Sequence, residues 1–496
     1  MKRTDRLHQL IHSLDKSEKR LFKMYVSTQQ KGEDNNYLKL FDAINDLLEY
    51  DEDKLTKKLG KNSNLVKNLP QNKKYLKDTI LKSMREINED RIEDEIADLM
   101  KDQHFFSKKN LFKEQWNKLQ KAKSLATDYE LFEKHIEILD IEMLYLNEQD
   151  LNTAIEEYSD YKKTKENLLY KINLSNKLIS SKNRIFHFVS KYRNKISDSN
   201  LAIVAKEMEQ YNKNDIDHSG SFTIKMWYYN TLSNYYLLAN NSEKQFECQK
   251  TLVNLFNEYP QFKQSNTRRY LIIFFNYMGA IFKLEDFELL KKELDTIAKI
   301  KVANDNDKGE FYQNYTLYTT LYAMNTGKLN EAISQSKKVT ANLKKYENKI
   351  NASSLLTLYY NYALIFFFAE DFDNTILWLY KIKDIKSDVR KDLQAFASVL
   401  TLICHYELKN YLLIESLYRS TNRNHELSSI EKTICNTIKK FSNTAKYSKK
   451  DWEKLKTELT NYADRMVGRV LLTFWIESHL NKSKSIHDFY RESVEK

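Results

Sequence analysis

Few residues in this chain have the types and spacings that chemistry requires. Cys248, Cys404 and Cys435 are odd in number, and none of them shares the Cys-x-x-Cys spacing of a metal site. No disulfide framework is therefore expected, and we interpret the three residues as reduced core thiols. The 7 glycines form neither Gly-x-Gly-x-x-Gly nor Gly-x-x-x-x-Gly-Lys, so no phosphate-binding loop is predicted. We expect no metal and no cofactor.

One pair of residues has a spacing that occurs in enzymes. Arg419 and His425 match the Arg-x5-His pattern of some helical-bundle ribonucleases. Those enzymes carry the pair on a helix that lines a dimer interface, whereas here it lies in the polar segment Ser420 to Glu426. No His-Glu-x-x-His motif and no nucleophile elbow accompany it. We therefore predict a protein that is not an enzyme and has no catalytic residues.

Positive charge is concentrated near the start of the chain. Residues 54–85 contain ten Lys or Arg and one acid, Asp78, a balance of +9 compared with +11 for the whole chain. Such a surface favours an anionic partner, here nucleic acid. The alternative is a solvated face, or one paired with the acidic run Glu86 to Asp98. The candidate nucleic-acid contacts are Lys57, Lys58, Lys67, Lys74, Lys82 and Arg85.

Residues 55–69 resemble the helix-turn-helix of bacterial DNA-binding regulators. The matching positions are Leu55 and Leu59 on the first helix, Gly60 at the turn, and Val66 and Leu69 on the second helix. The resemblance implies that Lys67 and Asn68 face the DNA groove. An ordinary helical turn is the alternative interpretation, because three residues depart from the pattern: Thr56, Lys61 and Pro70.

The elements that position these residues must be helical. Only 7 Gly and 2 Pro occur in 496 residues, too few for the many tight turns of a β-sandwich or an α/β fold. With 41 % hydrophobic residues the chain is not wholly disordered, yet it exceeds the roughly 250–300 residues that one core fills. A stacked array of helices solves this problem, because each unit buries surface against its neighbours. The fold class is predicted to be all-α.

A helical hinge recurs along the chain. In its clearest copy, Ala323 to Ile333, Gly327 supplies the turn, Leu329 is apolar and Ala332 is small. Similar hinges give positions 241, 285, 327, 370 and 409, with spacings of 44, 42, 43 and 39. This pattern resembles the tetratricopeptide-like superfamily, although the standard repeat of that family has 34 residues. The resemblance implies an α-solenoid with longer helices or looser connections.

The hinges also predict the organisation of the chain. Residues 86–496 should form about eight helical hairpins. The last pair of helices is predicted at Asp451 to Met466 and Val470 to Leu480, and residues 449–496 should cap the array. Further hinges are predicted at Lys108 to Leu111 and at Glu148 to Ile155. The distance from position 149 to position 241 leaves room for two repeat units, so another, hidden hinge is predicted near Lys195 to Asn200. Residues 1–85 form a separate basic helical module.

Solenoids usually bind partners on the face formed by the first helix of each pair. When the chain is aligned with the standard tetratricopeptide repeat, the equivalent groove positions are Phe275, Leu317, Tyr360 and Val399. The next groove positions, four residues later, are Gly279, Leu321, Leu364 and Ile403. These residues are uncharged, whereas relatives that bind a C-terminal carboxylate use Lys and Asn there. The stripe is either the core of a tight superhelix or a groove for an amphipathic helix or apolar peptide. The candidate partner contacts are Phe275, Leu317, Leu321, Tyr360 and Leu364.

These features predict a cytoplasmic interaction scaffold that binds a protein or peptide partner. The first residues lack the apolar region of a secretory signal. Leu355 to Ala369 is shorter than the roughly 20 residues that cross a bilayer, so we interpret it as a buried helix and expect no membrane partner. The alternative is a transcriptional regulator that binds nucleic acid through residues 54–85 and uses the solenoid as a sensor.

Overall fold

The computed structural model describes residues 5–29, 36–61, 63–87, 92–149, 151–192, 196–302, 305–385, 389–443, 449–461 and 468–495. Over these residues the chain forms helices and no strand, which confirms the all-α class. Parts of five predicted features lie outside the described residues. They are residue 62 of the helix-turn-helix segment, residues 88–91 of the acidic run, residue 150 of the hinge predicted at Glu148 to Ile155, Lys195 of the hidden hinge, and residues 462–466 of the predicted capping helix.

The helices of the N-terminal half follow one another with short connections. In chain order they are α1 (Arg6–Ser13), α2 (Lys16–Gln29), α3 (Asn36–Asn45), α4 (Glu52–Leu59), α5 (Asn64–Lys67), α6 (Leu69–Ile87), α7 (Ile92–Lys108), α8 (Phe112–Asp128), α9 (Phe132–Gln149), α10 (Leu151–Tyr192), α11 (Asp198–Glu209), α12 (Lys213–His218) and α13 (Phe222–Leu238).

The C-terminal half continues in the same manner. Its helices are α14 (Ser242–Glu258), α15 (Pro260–Ser265), α16 (Thr267–Lys283), α17 (Phe287–Ile297), α18 (Asp305–Asn325), α19 (Leu329–Lys345), α20 (Ala352–Phe368), α21 (Phe372–Asp384), α22 (Lys391–Glu407), α23 (Tyr411–Asn424), α24 (Ser429–Asn443), α25 (Lys449–Asn461), α26 (Arg469–Leu480) and α27 (Ile486–Val494).

Contacts between residues separate the chain into two compact units. The first unit comprises residues 1–181, 211–228 and 259–265, and the second comprises residues 182–210, 229–258 and 266–496. None of the helices in the described ranges combines the length and the apolar composition that a membrane span requires. The predicted buried helix Leu355 to Ala369 is confirmed, since most side chains of α20 are buried.

Within the first unit, α1–α4 and α6 share one hydrophobic cluster. Leu76 and Ile80 of α6 are fully buried and Met84 is packed against the cluster, as their helical spacing predicts. Helix α2 begins with a reciprocal cap. The carboxylate of Asp15 accepts the Glu18 N–H at 2.8 Å, and the Glu18 carboxylate accepts the Asp15 N–H at 2.8 Å.

The predicted hinges are confirmed as helix boundaries, and their backbone geometry explains the recurring residues. Asn240, Glu285, Gly327, Glu370 and Lys409 have φ between 53° and 72°, the left-handed conformation that ends a helix. At one of them, the Glu370 N–H donates to the Phe367 carbonyl at 3.0 Å, and the next N–H donates to the Phe366 carbonyl at 2.9 Å. These two bonds satisfy carbonyls that the helix end leaves without partners.

The residue after the left-handed position starts the next helix. Asp286 and Asp371 cap α17 and α21, because their carboxylates accept the N–H of the third residue along. The sequence Glu-Asp-Phe therefore ends one helix and begins another within three residues. An additional hinge of this kind, which the sequence analysis missed, lies at Glu130 with φ 51° between α8 and α9.

Glu130 also joins distant parts of the first unit. Its carboxylate accepts the N–H groups of Phe222 and Thr223 at 2.8 Å each, and the Ser221 hydroxyl at 2.8 Å. The negative charge thus lies at the N-terminus of α13, where the unpaired N–H groups and the helix dipole favour an anion. Ser221 is fully buried and Phe222 is 3 % exposed, so water cannot readily replace this carboxylate.

The region after α9 differs from the prediction. Two repeat units were expected between positions 149 and 241, but residues 151–192 form one continuous helix, α10, of 42 residues. No Gly or Pro occurs in this range, so nothing in the sequence forces a break. The junction predicted at Glu148 to Ile155 includes residue 150, which is outside the described residues, and α11 begins within the range predicted for the hidden hinge.

In the second unit, alternate helices contact one another. Helices α16, α18, α20 and α22, called the first helices below, form a series in which each contacts the next. Helices α17, α19 and α21 lie between them in the chain, and α23 follows α22. Each of these four helices contacts both of its chain neighbours. A large hydrophobic cluster extends through this unit from Ala323 to Tyr490.

Helix α27 folds back onto the middle of the second unit, which the sequence analysis did not anticipate. Tyr490 stacks on Phe368 with ring centroids 4.8 Å apart, and its hydroxyl donates to the Met324 carbonyl at 3.0 Å. The Ile486 N–H donates to the Glu370 carboxylate at 3.2 Å. Helix α27 therefore covers the hinge regions near residues 327 and 370, while α25 and α26 contact each other. The capping role of residues 449–496 stays a prediction.

Candidate functional surfaces

The five predicted partner contacts all lie on first helices, but two of them are buried. The ring of Phe275 on α16 stacks on that of Tyr318 on α18, with centroids 6.2 Å apart and an angle of 6° between the planes. Tyr360 on α20 meets Phe396 on α22 edge to face at 6.2 Å. These two side chains therefore join neighbouring first helices and support the core interpretation of the stripe.

The other three predicted contacts are partly accessible. Leu317 and Leu321 on α18 and Leu364 on α20 are half-buried. Leu317 and Leu364 also pack against the hydrophobic cluster of the second unit. Gly279, four residues after Phe275, has a packing role, because a Cβ built on it would lie 2.8 Å from the Tyr318 hydroxyl. The absence of a side chain thus lets Tyr318 approach α16.

The accessible residues define a surface whose register differs from the predicted one. On α16 the exposed stripe is one residue later than expected, because Ile272 and Asn276 are exposed while Phe275 is buried. We call the surface of exposed and half-buried side chains the first-helix face. It consists of Arg268, Ile272 and Asn276 on α16, Phe311, Asn314, Tyr318, Leu321 and Asn325 on α18, and Ser353, Thr357 and Leu364 on α20.

Helical spacing accounts for this surface. The residues of α18 recur at intervals of three and four, which places them on one side of the helix, opposite the buried Thr316, Thr320 and Ala323. Sequence analysis missed most of these residues because Phe, Asn and Tyr alternate around α18, so apolar periodicity gives no direction. Near the edge of the face, the Arg268 guanidinium donates to the Glu310 carboxylate at 3.2 Å.

The aromatic hydroxyls in this region are neutral. Burial raises the pKa of Tyr318 to about 12. Burial also raises the pKa of Tyr360 well above its usual range, and its hydroxyl has no hydrogen-bond partner among the described residues. The first-helix face therefore offers amide, hydroxyl and apolar groups, with Arg268 as its one charged member.

The basic module places its predicted contacts on accessible helices. Lys57 and Lys58 lie on α4, Lys67 ends α5, and Lys74, Lys82 and Arg85 lie on α6. All six are exposed. Lys58 pairs with Asp46 at 2.5 Å, whereas the other five form no ion pair with a described residue. Lys74, Lys82 and Arg85 also lie away from the buried Leu76 and Ile80, in agreement with the prediction.

The segment that resembles a helix-turn-helix has an unusually short second helix. Gly60 follows α4 with φ 83°, and α5 contains only Asn64–Lys67. Helix α6 then begins at Leu69, so Pro70 occupies its first turn, where proline is tolerated. A four-residue helix is about one turn long, which leaves little helix to enter a major groove. A nucleic-acid contact in this module would therefore have to use α6 as well.

The structure gives Arg419 and His425 separate partners. Arg419 pairs with Glu415 at 2.9 Å, while the His425 ring lies 3.0 Å from the Ser398 hydroxyl. Burial lowers the pKa of His425. The three cysteines are buried free thiols, and no group of metal-binding side chains is found among the described residues.

Comparison of the chain with protein-family models, with curated proteins and with solved structures yields no match. The tetratricopeptide-like resemblance therefore stays a prediction from the hinge residues. The helix boundaries at those hinges are a property of this chain's own structure.

Proposed function

We propose that this protein is a non-enzymatic interaction scaffold that binds a protein or peptide partner through the first-helix face. The observation that carries the proposal is the continuity of this face, since α16, α18 and α20 contact one another in series. We further propose that the helical pairs of residues 86–496 stack as a tetratricopeptide-like solenoid of about eight hairpins, with α10 as an elongated member. Such arrays use the face of successive first helices for binding.

The composition of the face supports an amphipathic helix or apolar peptide as the partner. Ile272 is 42 % exposed although it is a large aliphatic residue, and Leu321 lies half-buried beside Tyr318. Aromatic residues are enriched in the centres of protein interfaces, and charged residues are depleted there. The buried free thiols are consistent with the reducing environment of the cytoplasm, where we place the protein.

The test is affinity purification of the tagged protein from its native cells after nuclease treatment. Ile272→Asp places a charge on the first-helix face and should abolish recovery of the partner. Leu377→Asp is the matched control, because Leu377 is also an exposed aliphatic residue of the second unit but lies on α21, outside this face. Equal recovery with both variants, folded as judged by circular dichroism, would contradict the proposed site.

A second candidate function is nucleic-acid binding through residues 54–85, by a regulator that uses the solenoid as its sensor. It is favoured by the five exposed basic residues that lack an ion pair with a described residue. Phosphate contacts make affinity fall with salt, with a logarithmic slope of about 0.9 per phosphate on duplex DNA. Changing Lys74, Lys82 and Arg85 together to Glu should reduce this slope by about 3. Absence of DNA and RNA binding at about 50 mM salt would exclude this function.

A further inference from the structure

Helix α27 covers one end of the first-helix face. On α20, Phe368 follows Leu364 by four residues and Thr357 by eleven, so helical spacing places the three side chains on one side of the helix. Thr357 and Leu364 are half-buried members of the face, whereas Phe368 is 6 % exposed and has the Tyr490 ring stacked on it. The stripe of α20 therefore continues beneath α27.

Tyr490 also contacts α18, the neighbouring first helix. Its hydroxyl donates to the carbonyl of Met324, the last residue but one of α18, at 3.0 Å. Carbonyls in the last turn of a helix have no partner within that helix, so this hydroxyl satisfies one of them. Leu321 and Asn325, two members of the first-helix face, lie beside Met324 at the same end of α18. One tyrosine thus bridges the C-terminal ends of α18 and α20.

The contact surface of α27 is that of an amphipathic helix. Ile486 and Tyr490 are buried, and a Cβ built on Gly327 would lie 3.4 Å from Val494. Ile486, Tyr490 and Val494 are spaced by four residues, which places them on one side of the helix. Helix α27 therefore lies on this surface in the manner of an amphipathic helix in a groove, the binding mode expected of the partner.

Polar contacts position the N-terminus of α27. The Ile486 N–H donates to the Glu370 carboxylate at 3.2 Å, and a negative charge is favourable at the start of a helix. His487 Nδ1 donates to the Phe368 carbonyl at 3.0 Å, since a carbonyl can only accept. The surface under α27 therefore offers acceptors to the start of a docked helix, in addition to an apolar ring.

The interactions that hold α27 are those of a short terminal element. It has nine residues, and an isolated helix of fewer than about 12–15 residues is marginal in water, so α27 depends on docking for its helical structure. Its ion pairs join Lys484 to Glu492, and Arg491 to Asp488 and Glu495. None of them connects α27 with another described part of the chain. Such an element opens at a lower free-energy cost than the core helices beneath it.

We propose that α27 competes with the partner for this end of the first-helix face, and that the partner docks there as a short amphipathic helix with the Ile-x3-Tyr-x3-Val spacing of α27. Release of α27 exposes Phe368 next to Leu364 and frees two acceptors, the Met324 carbonyl and the Glu370 carboxylate. A partner helix of the same pattern covers the ring and uses both acceptors. The inference rests on the proposed function, because it specifies the partner of the same face.

The test uses a labelled peptide of residues 484–496 as the probe, titrated by fluorescence anisotropy against the full chain. In the wild type, the tethered α27 competes at an effective concentration in the millimolar range, so the peptide should bind weakly. Tyr490→Ala weakens the tethered helix and should raise the affinity for the peptide at least about tenfold. Absence of binding to a folded Tyr490→Ala variant, or equal affinity for both proteins, would overturn the proposal.

Phe489 supplies a matched control. It is the neighbouring aromatic residue of α27, but its ring lies 5.7 Å from the Lys484 ammonium, whereas Tyr490 belongs to the hydrophobic cluster of the second unit. Phe489→Ala in the full chain should leave the affinity for the peptide near the wild-type value. A peptide carrying Tyr490→Ala should bind at least about tenfold more weakly than one carrying Phe489→Ala. Equal loss of affinity in the two peptides would refute the role of Tyr490.

Hydrogen exchange on the wild type tests the release of α27 without a substitution in the chain. The amides of α27 should exchange at least about tenfold faster than those in the middle of α20, because α27 opens locally. The Phe489→Ala peptide, which differs in mass from α27, should accelerate this exchange further at about 1 mM, since it captures the open state. Equal protection of α27 and α20 would show that both open together and would overturn the proposal.

Affinity purification from native cells separates this inference from the function on which it rests. Tyr490→Ala should increase recovery of the partner severalfold over the wild type, whereas Ile272→Asp should abolish it. Binding of the peptide to Tyr490→Ala with no recovered partner would support the exchange of α27 and contradict the proposed function. A partner whose recovery is lost in Ile272→Asp but unchanged in Tyr490→Ala would support the proposed function and overturn this inference.

Discussion

The carboxylate of Glu130 gives the sharpest test of how the first unit is held together. In Glu130→Ala, the buried N–H groups of Phe222 and Thr223 and the hydroxyl of Ser221 lose their acceptor. A lost helix cap costs about 0.5–2 kcal/mol, and bonds to a charged group cost more. Because Glu130 is half-buried rather than fully buried, we expect a total of about 2–3 kcal/mol.

The positive φ of Glu130 supplies an internal comparison. Glu130→Gly removes the same carboxylate but relieves the left-handed backbone, which costs other residues about 1 kcal/mol or more. Glu130→Gly should therefore lower the free energy of unfolding by about 1–2 kcal/mol in total, less than Glu130→Ala does. Glu285 is the matched control, since it has φ 56° and its side chain makes no hydrogen bond with a described residue. Glu285→Gly should stabilise the protein by up to about 1 kcal/mol.

Hydrogen exchange at the start of α13 is the appropriate assay, because a chain of two units need not unfold in one step. A loss of about 2–3 kcal/mol corresponds to exchange of the Phe222 and Thr223 amides that is about 30 to 150 times faster. Unchanged exchange in Glu130→Ala, together with stabilisation by Glu130→Gly, would show that the carboxylate contributes nothing and would refute the reasoning.

Three further predictions concern the second unit and the N-terminal module. Gly468 has φ 77°, and a Cβ added to it would lie 2.0 Å from the Phe396 ring, so Gly468→Ala should cost about 3 kcal/mol in a thermal melt. Gly60→Ala is the control: its Cβ would meet no atom within 4 Å, and the substitution should cost about 1 kcal/mol. Ala332→Arg should lower stability by about 2–4 kcal/mol in denaturant unfolding, since Ala332 is 3 % exposed between helices, and an unchanged curve would mean that the hinge contact is misassigned. Burial raises the pKa of Tyr490 to about 12. The free energy of unfolding should therefore fall between about pH 10 and pH 12, because the unfolded chain loses this proton there while the folded chain keeps it. Tyr490→Phe should make that decline shallower.

The hinges show which part of the fold is accessible from sequence. Glu285, Glu370 and Lys409 are followed by Asp or Asn and an aromatic residue, so both the helix stop and the next start are encoded within three residues. Their positions were predicted correctly for this reason. Glu130 was missed because it is followed by Leu131, not by a capping residue. Its carboxylate caps a helix some 90 residues away, which no local pattern reveals.

The exposure of the candidate surface residues was predicted less well than the hinges, for a related reason. The register of α16 was one residue off, since an apolar residue such as Phe275 fits a groove and a helix contact equally well in sequence. A cavity lined by His135 depends on side chains from three helices. Such tertiary arrangements cannot be obtained from hydrophobic periodicity alone. Charge was simpler, because exposed lysines on α6 follow directly from helical spacing.

The fold-back of α27 has a consequence for synthesis of the chain. Tyr490 and its acceptor, the Met324 carbonyl, are 166 residues apart in sequence. At about 5–20 residues per second, a ribosome would need roughly 10 to 30 s to extend from one to the other. Once residue 368 has been added, and until Tyr490 follows, the Phe368 ring, 6 % exposed in the finished fold, lacks the tyrosine that stacks on it. Nascent chains of this protein should therefore be clients of chaperones that recognise aromatic segments until α27 has emerged.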